Sequence, residues 1–180
     1  VVKFNTNLTV LPSEELSNLL IKCKRVDFLL SVDDIGERYE ILRYPGKWDV
    51  FLKNMEIIKQ QSYRVIAYNC LSTLNIYYAM DFYKWATRNF GNEVHSQFVV
   101  DRQMLDISYL PQHAKDIVLE KIANYKGKIF DSIRAKINTK KQDRSENLRK
   151  YILDLDAIRK TNYPVVFSEW WKILKEKAST

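Results

Sequence analysis

The chain has 180 residues, of which 46% are hydrophobic and 28% charged, enough to bury a core and far from the composition of a disordered chain. No stretch approaches the run of about 18 apolar residues that a membrane span needs, so no membrane partner is expected. The net charge of +7 points toward nucleic acid, but the lysines are scattered and their one concentration, Lys136 to Lys150, is mixed with polar and acidic residues. That is the texture of a solvated helix face, and nucleic acid is not the expected partner.

Four glycines and four prolines predict long regular elements joined by short loops. The chain opens Val1-Val2, already strand-like, without a charged region followed by an apolar core. We therefore read no signal peptide, and expect a fragment that lacks earlier strands. Cys23 and Cys70 lie far apart, in no metal-binding or disulfide pattern. They fit a reducing cytoplasmic location, with both thiols buried.

Taken in order, "VVKFN" reads as a strand. "SEELSNLLIKCKR" follows as a helix, with Ser13 as N-cap and an apolar stripe at Leu16, Leu19, Leu20 and Cys23. "VDFLLSV" is a nearly continuous apolar run, the pattern of a strand covered on both faces. After a glycine turn at Gly36 and an Arg-Tyr-Pro-Gly break, "WDVFLKNMEIIKQQ" returns to helical spacing. "YRVIAYNC" is the third strand, and "NIYYAMDFYKWATRNF" a helix capped by Asn75 and ended near Gly91. "VHSQFVV" is the fourth strand, and "PQHAKDIVLEKIANYK" a helix opened by proline. This alternation predicts a parallel α/β sheet with right-handed crossovers.

From about Gly127 the strand signal fades. Stripes at Ile129, Ile133 and Ile137, then at Leu148, Ile152 and Leu155, and the closing "VVFSEWWKILKEK" predict a helical extension over 127–180. Its aromatic residues require it to pack rather than stay exposed.

Ligands of parallel α/β folds bind beyond the carboxyl ends of the strands. The polar residues there are Asn5, Thr6 and Asn7, then Ser31, Asp33 and Asp34. Asn69, Ser72, Thr73 and Asn75 follow the third strand, and Asp101 and Arg102 the fourth. Most have local uses as caps and turns, Asp34 and Asn75 among them. Ser31 and Asp33 alternate with Val32 and so point to one side, where a hydroxyl and a carboxylate suit a ribose diol. A buried carboxylate needs a partner, and Arg43 can supply one or grip a ligand carboxylate. His95 and His113 stand in no metal-binding spacing, and there is no glycine-rich phosphate loop and no nucleophile elbow. No catalytic residue is assigned.

"VDFLLSVDDIGERYEILRYPGKWDVFLKNMEIIK" resembles the fourth strand and following helix of radical S-adenosylmethionine enzymes, most closely the branch with SPASM or twitch-type C-terminal regions. "VVKFNTNLTVLPSEEL" is similar to the preceding unit, "YRVIAYNCLSTLNIYYAMDFYKW" to the fifth strand and helix, and "QFVVDRQMLDISYLPQHAK" to the sixth. "AIRKTNYPVVFSEWW" is similar to the branch's closing segment. The resemblance implies a partial (β/α)6 barrel over 1–126, with its first strands missing, followed by the helical extension. It places Ser31 and Asp33 by the S-adenosylmethionine ribose, Arg43 by the carboxylate, and Asn7 and Asn69 on the same rim.

The family's chemistry is reductive cleavage of S-adenosylmethionine at a [4Fe–4S] cluster, with an external electron donor and, in this branch, a peptide or protein substrate. The cysteine loop that holds the cluster and the Gly-Gly-Glu segment are absent here, so the cluster ligands are expected outside this chain. Asp34 stands where the family has glycine, and Ile41 where it has tyrosine. The other readings are a non-catalytic module for nucleic acid or a protein partner, and an unrelated α/β enzyme whose rim takes a sugar or nucleotide.

Overall fold

The structure, a computed structural model, describes residues 1–176. Lys177, the last residue of the expected closing helix, lies outside them. The protein is a mixed α/β chain with a four-stranded parallel sheet. Strands β1 (Val2–Thr6), β2 (Val26–Ser31), β3 (Arg64–Leu71) and β4 (Val94–Phe98) lie in the order β1-β2-β3-β4. Val2 sits opposite Val26 and Thr6 opposite Leu30, while Asp27 sits opposite Arg64 and Ser31 opposite Tyr68. In this register β1 and β2 end within one residue of each other, and β3 runs three residues past the partner of Ser31. β2 is the apolar strand expected, with Val26, Asp27, Phe28 and Leu30 all buried.

The chain forms two compact units. The first comprises residues 1–70 and 82–95, the second residues 71–81 and everything from 96 onward.

In the first unit, α1 (Glu14–Leu20) starts at Ser13, whose hydroxyl accepts from the Leu16 N–H. It stops three residues short of Cys23, and Leu19 is exposed, so the expected stripe is only partly buried. Cys23 and Cys70 form no disulfide with each other and are half-buried rather than buried. The segment after β2, read as turn and break, contains a seven-residue helix, α2 (Gly36–Leu42). The Asp34 carboxylate fastens its start by accepting from the Ile35 N–H and from Arg38 Nε, 2.9 Å away. α3 (Trp48–Lys59) buries Phe51, Met55 and Ile58, as its spacing requires. Tyr39, Trp48, Phe51 and Trp85 form one aromatic cluster, with ring centroids 5.1–6.3 Å apart. Trp85 comes from α4 (Ala79–Phe90), a helix that ends at Gly91, in the left-handed region at φ +59°.

The second unit is mainly helical. It holds α5 (Gln112–Lys121), α6 (Lys128–Ile137), α7 (Ser145–Arg159), α8 (Tyr163–Val166) and α9 (Ser168–Lys175). Asn75 precedes a short 3-10 turn (Ile76–Tyr78), and its carboxamide reaches back to accept from the Ser72 N–H. The closing aromatics are packed, as their composition demanded. Trp170 is fully buried and donates from Nε1 to the Thr73 carbonyl at 2.7 Å, and its ring stacks on Tyr77. Tyr163 stacks on Phe167 at 4.0 Å and donates its hydroxyl to the Leu74 carbonyl. Asp106 is buried. Burial pushes its carboxyl up, but a 2.7 Å bond to Lys136 and two bonds from Ser108 outweigh this and hold it below the usual carboxylate range.

Candidate cofactor-binding site

Asn7, Ser31, Asp33, Arg43 and Asn69, the five residues expected to bind the cofactor, all belong to the first unit. β2 ends at Ser31, and the ladder gains one more bond, from the Val32 N–H to the Tyr68 carbonyl. The chain then turns toward β3. The Asp33 carbonyl accepts from Asn69 Nδ2 at 3.0 Å, and Asp33 Oδ1 accepts from the Cys70 N–H at 2.8 Å. The Asp33 side chain thus bridges the ends of two parallel strands where the backbone ladder runs out.

The arginine ten residues on does come to this carboxylate. Arg43 Nη2 donates to Asp33 Oδ1 at 2.9 Å, and Nε lies 2.8 Å from Oδ2, close but not aligned as a hydrogen bond. The pair is partly open to solvent, with side-chain exposures of 25% and 14%. Solvent therefore reaches both members of the pair.

Asn69 is fully buried. Its Nδ2 is committed to Asp33, whereas its Oδ1 is buried without a hydrogen-bond partner among the described residues. A buried amide oxygen left unpaired costs about 1–3 kcal/mol. Ser31 is half-buried, and its hydroxyl makes no hydrogen bond to another described residue. Asn7 is exposed, and its Oδ1 accepts from the Thr9 hydroxyl at 3.0 Å in a local turn.

Sequence reasoning missed the residues that support this rim. Tyr39 donates its hydroxyl to the Asn7 carbonyl at 3.1 Å, and Asn54 donates from Nδ2 to the Leu8 carbonyl at 3.0 Å. Together they pin the loop after β1, where Leu8 is buried at φ +55°. Burial pushes the Tyr39 phenol up to about 12. Gly46 makes the return from Arg43 possible. Its N–H bonds to the Arg43 carbonyl, and a Cβ there would sit 2.9 Å from that oxygen. Glu40 orients the next helix by accepting from the Trp48 N–H and Lys47 Nζ. The Lys47 bond, then the Trp48 bond, hold its carboxyl below the usual range. The signal for Tyr39 and Glu40 was the helical spacing inside "GERYEIL", hidden between Gly36 and the Tyr-Pro-Gly break.

Of the other expected rim residues, Thr6 and Asp34 serve local structure in the first unit, where Thr6 Oγ1 accepts from the Leu8 N–H, and Ser72 and Thr73 do so in the second. Ser72 Oγ accepts from the Leu74 N–H, and Thr73 donates to the Met104 carbonyl. Among the described residues, no group of three His, Cys, Asp or Glu side chains could hold a metal ion. No protein-family model matches this sequence, and comparison with curated proteins and with solved structures found no significant match.

Proposed function

We propose that the strand-end rim of the first unit binds S-adenosylmethionine, as the back part of a radical S-adenosylmethionine barrel. Asn69 carries this reading, because it is fully buried, fixed by one bond to Asp33, and presents an unpaired oxygen. Ribose hydroxyls donate hydrogen bonds and suit Asn69 Oδ1 and the unbonded Ser31 hydroxyl. The partly exposed Arg43 guanidinium suits the methionine carboxylate, while Asp33 holds that guanidinium in place. Asn7 is the weakest of the five assignments, since its side chain is already engaged by Thr9.

When cleaved reductively, S-adenosylmethionine supplies a deoxyadenosyl radical that removes a hydrogen atom from substrate, here a peptide or protein in our reading. The residues of this chain bind and orient the cofactor. Two cysteines cannot ligate a [4Fe–4S] cluster, so neither the cluster nor the contact to its electron donor is assigned to these residues.

Isothermal titration of the purified chain with S-adenosylmethionine tests the reading. Saturable binding that Asn69→Leu and Arg43→Ala each weaken by about tenfold or more is expected, the loss of one buried or charged hydrogen bond. No saturable binding, or affinity indifferent to both substitutions, removes the assignment.

A further inference from the structure

The second unit contains a solvent-open cavity of about 410 Å³, lined by Arg102, Gln103, Met104, Arg144 and Asn147. We propose that it is a binding site for a small phosphorylated molecule, with the two arginines holding the phosphate. The proposal is independent of the S-adenosylmethionine reading.

The lining carries two guanidiniums and two carboxamides and no carboxylate. Two nearby acids are committed elsewhere, while the neighbouring Asp101 and Glu146 are exposed and outside the lining. Asp143 accepts from the Ser145 N–H and hydroxyl, and Asp106 is paired with Lys136. Two fixed positive charges with planar forks of donors match a phosphate dianion better than a single carboxylate.

Both walls are built rather than loose. Arg102 precedes a 3-10 turn (Gln103–Leu105), tied down where the Thr73 hydroxyl donates to the Met104 carbonyl at 2.7 Å and the Thr73 N–H to the Leu105 carbonyl at 2.9 Å. The Arg144 N–H is fixed to the Tyr109 carbonyl at 2.9 Å. The Arg102 guanidinium lies over the Tyr151 ring, 5.8 Å from its centroid, which limits its sweep. Arg144 Nε is buried without a hydrogen-bond partner among the described residues, so no described protein acceptor is bonded to that donor. The cavity exceeds what inorganic phosphate fills and falls in the range of small-ligand pockets, so an organic body accompanies the phosphate, with Met104 as its apolar wall.

The test is a two-dimensional NMR titration of the full chain with inorganic phosphate, ribose 5-phosphate, ribose and a single-stranded octanucleotide. Saturable shifts of the Arg102, Gln103, Arg144 and Asn147 amides are expected with phosphate, and at lower concentration with ribose 5-phosphate, but not with ribose. Arg102→Gln and Arg144→Gln each weaken ribose 5-phosphate binding tenfold or more, while Lys128→Gln, an exposed lysine outside the cavity, leaves it unchanged. Arg102 is exposed, so its replacement keeps the fold even where that of Arg144 does not. Absence of saturable shifts, equal weakening by Lys128→Gln, or shifts with the octanucleotide alone overturns the proposal. The last result would reassign the cavity to nucleic acid.

Discussion

The two ends of the sheet in the first unit are built from the same residue types and behave differently. At the amino end, Asp27 is buried and gripped by both donors of Arg25, at 2.8 and 2.9 Å. Arg64 lies 3.8 Å from the same carboxylate and is itself forked onto Glu93. At the carboxyl end, Asp33 and Arg43 also pair, yet Asn69 keeps a buried unpaired oxygen and Ser31 an unbonded hydroxyl. An ion pair at a strand end therefore does not by itself mark a site. The proposal rests on the unspent hydrogen-bonding capacity beside it, because a purely structural network gains nothing by leaving a buried acceptor empty.

The sharpest way to break this comparison is to substitute both ends and measure stability and ligand binding separately. Asp27→Asn is expected to lower the unfolding free energy by about 1–2 kcal/mol, since charged hydrogen bonds are lost but Arg25 is half exposed to water. Chemical denaturation measures this, and S-adenosylmethionine affinity should not change. Asn69→Leu should do the reverse, weakening the affinity by about tenfold or more while moving stability by less than about 1 kcal/mol, because it removes an unsatisfied group along with one bond. If Asn69→Leu unfolds the chain instead, the carboxyl end is as structural as the amino end.

Tyr39→Phe is expected to cost about 1 kcal/mol, the hydrogen bond to the Asn7 carbonyl, with the aromatic cluster intact. A loosened loop after β1 should then show as faster amide exchange at Leu8.

The smallest expected effect is on pH dependence. The bond from Arg25 holds the Asp27 carboxyl below its ordinary range against the opposing cost of burial. In the unfolded chain that group titrates near pH 4 (about 3.9). Its contribution is thus complete above about pH 4 and disappears as pH falls through the lower folded value. Asp27→Asn should therefore lose less stability than the parent chain on acidification below pH 4. Parallel losses in the two proteins would show that other carboxylates govern the acid limb.

Much of this site was legible before folding. The apolar run of β2 ending in a serine and an aspartate, and an arginine within one short connection, made the Asp33–Arg43 pair one of the uses open to that arginine. The Cys70 N–H and the Asn69 carboxamide were not assignable as partners of Asp33, because they depend on the register between β2 and β3. The helical spacing of "GERYEIL" was outweighed by its glycine and proline flanks. The seven-residue α2 is too short to announce itself by periodicity and is held by Asp34 at its start and Tyr39 in the cluster.

The sequence by itself determined the four strands, their alternation with helices and the polar character of the strand ends, since these follow from side-chain period and local capping. Tertiary structure alone decided which polar groups are spent and which are left over. Hydrogen-bond satisfaction is a property of neighbours brought together across the chain, as Asn69 Oδ1 and Arg144 Nε both show.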